Sequence, residues 1–255
     1  MHLAGRMSRK LPKIALPLAA LLLAGSLLWL WSAQKEAGSR TQVALMTSLP
    51  IYWSDGADVT LLASGQGELP WVRETLEARY RLKPVDTLGA AGQGDPLAGI
   101  DRLMVVQPRA LSPQDNVALD QWVNDGGHLF MALDPLLTGQ YSVPLGDSRH
   151  PAAVGLVPPV IARWGMDLRF DEAQPFAVRE LDGMGIAIPV AMAGEIHPLP
   201  GAGKACQIAE SGILASCKVG KGRVTILADA ALFEFPEGEG KHRDVLTQLV
   251  ARAFE

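Results

Sequence analysis

The chain has 255 residues, with 23 Lys and Arg against 27 Asp and Glu and a formal net charge of −4. Residues 41–255 carry 17 basic and 26 acidic side chains, a net −9, which excludes nucleic-acid binding and flat adsorption on anionic lipid as the main activity. That length holds one domain with a sizeable core.

Arg6, Arg9, Lys10 and Lys13 precede an uncharged run, Ile14–Ala33. About twenty apolar residues span a hydrocarbon core as a helix. The basic cluster keeps residues 1–13 in the cytoplasm, so the rest lies across the membrane. Trp29 and Trp31 sit near the far end of the span, at headgroup level. The competing reading is a cleaved signal peptide, whose apolar core is shorter and ends in a small-x-small site. Trp31 occupies the −3 position if Ala33 is −1. The expected organisation is a cytoplasmic N-terminus over 1–13, a transmembrane helix over 14–33, a linker over 34–42 and a periplasmic domain over 43–255.

Within that domain, Gln42–Thr47 reads as a buried strand. Ser48–Gly56 follows as a loop carrying Tyr52 and Trp53. Val59–Ala63 is a short extended piece before a turn at Ser64–Gly67. Pro70–Tyr80 reads as an amphipathic helix with Val72, Leu76 and Tyr80 inward, and Arg81–Val85 returns as a strand. Gly89–Gly99 is a loop. Asp101–Gln107 is a buried strand by its continuous apolar run. Ser112-Pro113-Gln114-Asp115 carries a helix-start signal. Val117, Leu119, Trp122 and Val123 form that helix's apolar face, and Gly126-Gly127 ends it. His128–Leu133 is the next buried strand, closed by Asp134-Pro135. Strand, helix and strand with short links predict a right-handed crossover and a parallel sheet.

The second half is less regular. Val160–Trp164 ends a helix, and Asp167–Phe170, Phe176–Leu181 and Ile186–Ala191 are short strands. Residues 204–229 read as strand, turn, strand, turn, strand. With Ser211-Gly212 as the first turn, Cys206 opposes Cys217 at a hydrogen-bonded site, within reach of a disulfide. Export to an oxidising compartment favours that bond. Arg223–Leu227 is a buried strand ending at Ala228-Asp229. His242–Phe254 is a terminal helix, too polar to cross a membrane.

The phrases Ile100–Pro108, Leu111-Ser112-Pro113, Leu119–Gly127 and Leu129–Pro135 resemble the gliding-associated type of ABC-transporter auxiliary protein. In that family a strand ends in Pro, the next helix ends in a WV..GG phrase, and the following strand ends in DP. Arg163–Asp167 and Val219–Asp229 are similar to two later phrases of the family. The resemblance covers about half the chain. It implies a three-layer α/β domain with a mostly parallel sheet, flavodoxin-like or class I glutamine amidotransferase-like, to which the strands read over 204–229 add a C-terminal β-hairpin region. It also implies partnership with the permease and ATPase of an ABC transporter.

Catalytic patterns are missing. Neither Cys lies on a strand-to-helix turn, and no G-x-S-x-G or P-loop pattern occurs. The five His residues are scattered, and no metal-ligand spacing stands out. No cofactor or metal is therefore expected, and no enzyme. A hydrolase or amidotransferase-like enzyme on the same sheet, or a structural envelope scaffold, are the alternatives. In open α/β sheets ligands bind beyond the carboxyl ends of the strands. The candidates there are Thr47, Ser48, Tyr52 and Trp53, then Gln107, Asp134 and Asp229. The two Asp residues serve equally as caps of the loops that follow. Tyr52 and Trp53 are either a partner surface or packing.

Overall fold

The computed structural model describes residues 40–55, 69–89, 94–147, 150–152, 155–201, 206–235 and 240–255. The expected span at 14–33, its basic leader and the pieces at 59–63 and 64–67 lie outside the described residues. No helix among the described residues is long and apolar enough to cross a membrane.

Seven strands form the main sheet. They are β1 (Thr41–Thr47), β2 (Tyr80–Pro84), β3 (Arg102–Val106), β4 (His128–Ala132), β9 (Cys206–Ile208), β10 (Leu214–Val219) and β11 (Gly222–Leu227), in the order β2-β1-β3-β4-β11-β10-β9. The pairs β1–β3, β3–β4 and β4–β11 are parallel, and β10 runs antiparallel to both of its neighbours. The order of the first five positions is the 2-1-3-4-5 pattern of doubly wound sheets. Parallel strands covered on both faces need apolar side chains at every position. Leu103–Val106 and Leu129–Ala132 supply them, all fully buried.

The helices are α1 (Trp71–Glu77), α2 (Pro113–Asn124), α3 (Pro159–Arg163), α4 (Ala231–Glu234) and α5 (Gly240–Phe254). They cover both faces, as β11 makes plain. Successive side chains of a strand point to opposite sides. Arg223 donates to the Arg252 carbonyl of α5. On the other side, a Cβ at Gly222 would overlap the Val123 and Gly127 carbonyl oxygens at the end of α2, so only glycine fits. Between β4 and β9 the chain forms two small antiparallel pairs. These are β5 (Met166–Phe170) with β8 (Gly194–Pro198), and β6 (Arg179–Asp182) with β7 (Ala187–Val190).

Several elements differ from expectation. The first helix ends at Glu77, and Tyr80 opens β2 with its ring edge-on to Phe254 at 5.8 Å. Phe176 stays outside β6 and is 73% exposed. β8 and α4 carry no sequence signal of their own; each is too short for a period to show. On α2, Val117 is 57% exposed, and the inward stripe is Asp115, Leu119 and Val123. A carboxylate takes the first inward position because it is fully employed there. Ser112 and Asp115 form a reciprocal capping box, and Asp115 Oδ1 also accepts the Leu88 and Gly89 amides at 2.7 and 2.9 Å. Burial opposes ionisation of Asp115, but bonds from Gly89, Ser112 and Leu88 outweigh it and hold its carboxyl below the usual range.

Cys206 and Cys217 are directly opposed and joined in a disulfide. The register is the expected one, but the hydrogen-bonding phase is not. The Gly212 amide donates to Ala209 O, and the Ala209 amide donates to Leu214 O, so the turn is longer than two residues. Alternation from Ala209–Leu214 then puts the cysteines at a non-hydrogen-bonded pair, where Cα atoms approach most closely. Theirs are 4.0 Å apart.

Thr225 is fully buried in β11, and its hydroxyl has no hydrogen-bond partner among the described residues. Its neighbours Arg223 and Leu227 on the same face lie under α5. Removing an unsatisfied buried hydroxyl without changing the branching of the side chain stabilises a fold by about 1 kcal/mol. Thr225→Val should therefore raise the melting temperature by about 2–4 °C, read by thermal denaturation. A lower melting temperature would show that the hydroxyl has a partner.

Candidate functional site

The parallel strands end in polar residues, and the loops that leave them fold over one another. Gln107 stands at the centre, fully buried and with a φ of +43°. Its amide donates to Ala132 O at 2.8 Å, as a continuation of the β3–β4 ladder. Its Nε2 donates to Asp134 O at 3.0 Å and Ala152 O at 2.8 Å, and its Oε1 accepts the Asp134 amide at 2.8 Å. Ser48 Oγ donates to Gln107 O at 2.6 Å and accepts the Ala152 amide at 3.0 Å. Thr47 Oγ1 caps the Leu49 amide. A Cβ at Gly155 would collide with Asp134 O, so the returning loop passes here only as glycine.

Asp134 and Asp229 are spent in the same way. Asp134 accepts the Leu136 amide at 2.8 Å through Oδ1 and the Ala230 amide at 3.0 Å through Oδ2. Asp229 accepts Ala231 at 2.6 Å and Ala191 at 3.0 Å. All four oxygens hold backbone amides. Each side chain closes a turn in its own loop and ties it to a distant one. Ser48, Gln107 and Asp134 thus meet in one network, Thr47 caps the loop beside it, and Asp229 joins it through the Ala230–Ala231 turn. Gln107, Asp134 and Asp229 have no access to solvent to speak of.

Tyr52 and Trp53 stand apart from that network. Their rings pack edge to face at 4.9 Å. The Arg73 guanidinium lies over Tyr52 at 4.0 Å, donates to Tyr52 O, and pairs with Glu77. Tyr52 is half-buried against the core, whereas Trp53 is 52% exposed.

Beside these residues a cleft of about 300 Å³ opens. It lies between the loop after β1, the start of α1, the loop after β4 and the end of α4. Glu234 forms its floor, accepting the Thr138 and Gly139 amides at 3.1 and 2.8 Å and the Tyr141 hydroxyl at 2.5 Å. Asp55 on the rim accepts the Ser142 amide and hydroxyl. Glu234, Tyr141 and Asp55 escape sequence reading because nothing in their spacing links them: Glu234 reaches Thr138 across 96 positions. Among the described residues no group of three or more His, Cys, Asp or Glu could hold a metal ion.

A family model described as an ABC-type uncharacterized transport system, the ABC-transporter auxiliary family, matches residues 40–182. The chain belongs to this family. It is therefore an auxiliary component of an ABC-type transport system. The matched segment holds Ser48, Gln107 and Asp134, and stops before Cys206, Asp229 and Glu234. No curated protein matches the chain. Among solved structures it is similar to the exo-β-1,4-mannosidase Op5Man5 from Opitutaceae bacterium strain TAV5, at 15% identity and TM-score 0.47, over 85% of this chain and 37% of that one. It is similar to the β-galactosidase Gan42B from G. stearothermophilus at 14% identity and TM-score 0.47, over 83% and 30%. The N-terminal domain of mmIFT52 matches at 12% identity and TM-score 0.47, over 83% and 96%. The auxiliary-family chain thus spans about a third of the glycosidases it matches, and likeness at this level bears on neither its fold nor its activity.

The electrostatics of the auxiliary domain follow from burial. Desolvation pushes the Asp134 carboxyl up to about 7, against the opposing pull of the Leu136 and Ala230 amides, and Glu234 adds to the rise. Asp229 is raised well above the carboxylate range, by burial first and then by the charge of Asp134. Tyr141 is raised by burial, by its bond to Glu234 and by the surrounding carboxylates, so it stays a donor. In the unfolded chain an Asp ionises near pH 4. Between that value and about 7 the folded state binds more protons, so this contribution to stability is full at low pH and is lost as pH rises through 7. The melting temperature should fall between pH 5 and pH 8, by on the order of 2 kcal/mol of stability. Asp134→Asn should flatten that slope in thermal melts across the range. An unchanged slope would mean that Asp134 is ionised throughout.

Proposed function

We propose that the chain is a membrane-anchored, non-catalytic binding component on the periplasmic side of an ABC-type transport system, associated with its permease and ATPase. The observation that carries the reading is the expenditure of the strand-end polar groups. Gln107, Asp134 and Asp229 sit where an enzyme of this architecture would keep its reactive groups, and each is buried and bonded to backbone. An amidotransferase-like enzyme would need a free Cys on a strand-to-helix turn. Both cysteines are oxidised on neighbouring strands of the sheet edge. The sheet order supports a flavodoxin-like or amidotransferase-like scaffold of the gliding-associated type. A disulfide supports an oxidising compartment, in keeping with a division into residues 1–13 in the cytoplasm, a span at 14–33, a linker at 34–42 and a periplasmic domain over 43–255.

The partner-facing residue in this reading is Trp53, held out by the Arg73–Tyr52 stack. Truncating an aromatic anchor costs on the order of 2 kcal/mol of binding. Trp53→Ala should strongly reduce co-purification of the permease from detergent extracts, with the melting temperature unchanged. Undiminished co-purification would remove Trp53 from the interface, and a loss of several degrees in melting temperature would make it a packing residue.

Location is tested separately. Alkaline phosphatase fused after Arg40 and at the C-terminus should be active at both positions. Inactive fusions at both would place the domain in the cytoplasm.

A further inference from the structure

The cleft beside Trp71 has a chemistry that points to its ligand. Its walls are aromatic: Trp71 and Phe233, both nearly buried, with the half-buried Tyr141 and Phe235. Its ionisable carboxylates are Asp55 and Glu234, and among the described residues no Lys, Arg or His lines it; the Arg243 guanidinium lies over the Trp71 ring at 5.9 Å. The rest of the lining is proline, valine, serine and glutamine.

Glu234 is fixed by neutral donors alone, the amides of Thr138 and Gly139 and the hydroxyls of Thr138 and Tyr141. These orient the carboxylate. The rings are fixed too. The Trp71 indole donates to Phe235 O at 2.8 Å, and His242 stacks on the Phe235 ring at 4.2 Å. A box of aromatic faces with two carboxylates, and no cation among its described lining residues, is complementary to a cation that also carries apolar surface. A neutral sugar would want paired donors and acceptors, and the donors of Thr138, Gly139, Tyr141 and Ser142 are already bonded to Glu234 and Asp55. The volume, about 300 Å³, is at the small end of ligand sites.

We propose that this cleft binds a small organic cation with a substituted ammonium head, of about the size of choline. The proposal rests on the reading of the chain as a binding component, and it names the class of ligand. The cation would sit against the Tyr141 and Phe235 rings, with Glu234 and Asp55 as its counter-charges. Attraction to Asp55 and Glu234 would weaken as salt rises.

The test is isothermal titration calorimetry on the full chain in dodecyl maltoside, with choline as the probe. Its uncharged isostere, 3,3-dimethylbutan-1-ol, serves as the comparison. Choline should bind saturably at one site, and the isostere at least about tenfold more weakly. Glu234→Gln should weaken choline by about tenfold. Should that variant melt early, Phe235→Leu replaces it: it keeps apolar volume, removes the ring, and should weaken choline about fivefold at an unchanged melting temperature. Equal binding of choline and its isostere overturns the proposal, as does the absence of saturable heat with either. Binding of a tetra-arginine peptide without binding of choline also overturns it, in favour of a basic segment of a partner protein. Failure here with co-purification of the permease intact would remove the ligand and leave the transport reading standing.

Discussion

Burying Gln107, Asp134 and Asp229 at the ends of parallel strands obliges every polar atom they carry to find a partner inside the protein. An unpaired buried polar group costs about 1–3 kcal/mol, and a buried charge more. The chain meets the demand with its own backbone. The Gln107 amide group bonds Asp134 on both sides and reaches Ala152. Asp134 and Asp229 between them accept four main-chain amides. The loops after β3, β4, β7 and β11 are thereby locked to one another by hydrogen bonds, while the residues that flank them, Val106, Leu133, Val190, Ala228 and Ala230, belong to the apolar core.

That constraint places the cleft. Asp134 and Asp229 start the two segments that lead to Thr138–Tyr141 and to Phe233–Phe235, and Glu234 then joins the segments across the gap. A fold that spends its carboxylates in this manner gains a shaped recess and gives up reactive groups at the end of the sheet where open α/β proteins keep their sites. Compare Asp115. It is also inward-facing and also accepts backbone amides, yet its carboxyl is lowered, because it is less deeply buried and has no acidic neighbour. Asp134 and Asp229 are raised because burial first, and then repulsion from Glu234 at Asp134 and from Asp134 and Glu234 at Asp229, outweigh similar bonds.

Much of this is legible in the residues. Ser112, Pro113 and Asp115 announce α2, and the uninterrupted apolar runs at 102–106 and 128–132 announce a doubly covered parallel sheet. The opposed cysteines follow from counting alone. Asp134 and Asp229 are placed correctly at the strand ends, and the capping role weighed for them is the one their oxygens fulfil. What escapes is non-local. Gln107 sits among apolar residues like any strand-ending polar side chain, and only its contact with a loop 45 positions away shows its role. Val117 reads as core by helical spacing, but Asp115 takes that side because Leu88 and Gly89 need an acceptor. Glu234 belongs to a helix of four residues, too short for periodicity to register.

Amide hydrogen exchange at Leu136, Ala191, Ala230 and Ala231 addresses the central claim most directly. If Asp134 and Asp229 are structural stitches, these loop amides exchange as slowly as the interior of β3 and β4, since only global unfolding frees them. Exchange as fast as that of exposed loops would contradict it, and would return both carboxylates to the pool of groups available for chemistry.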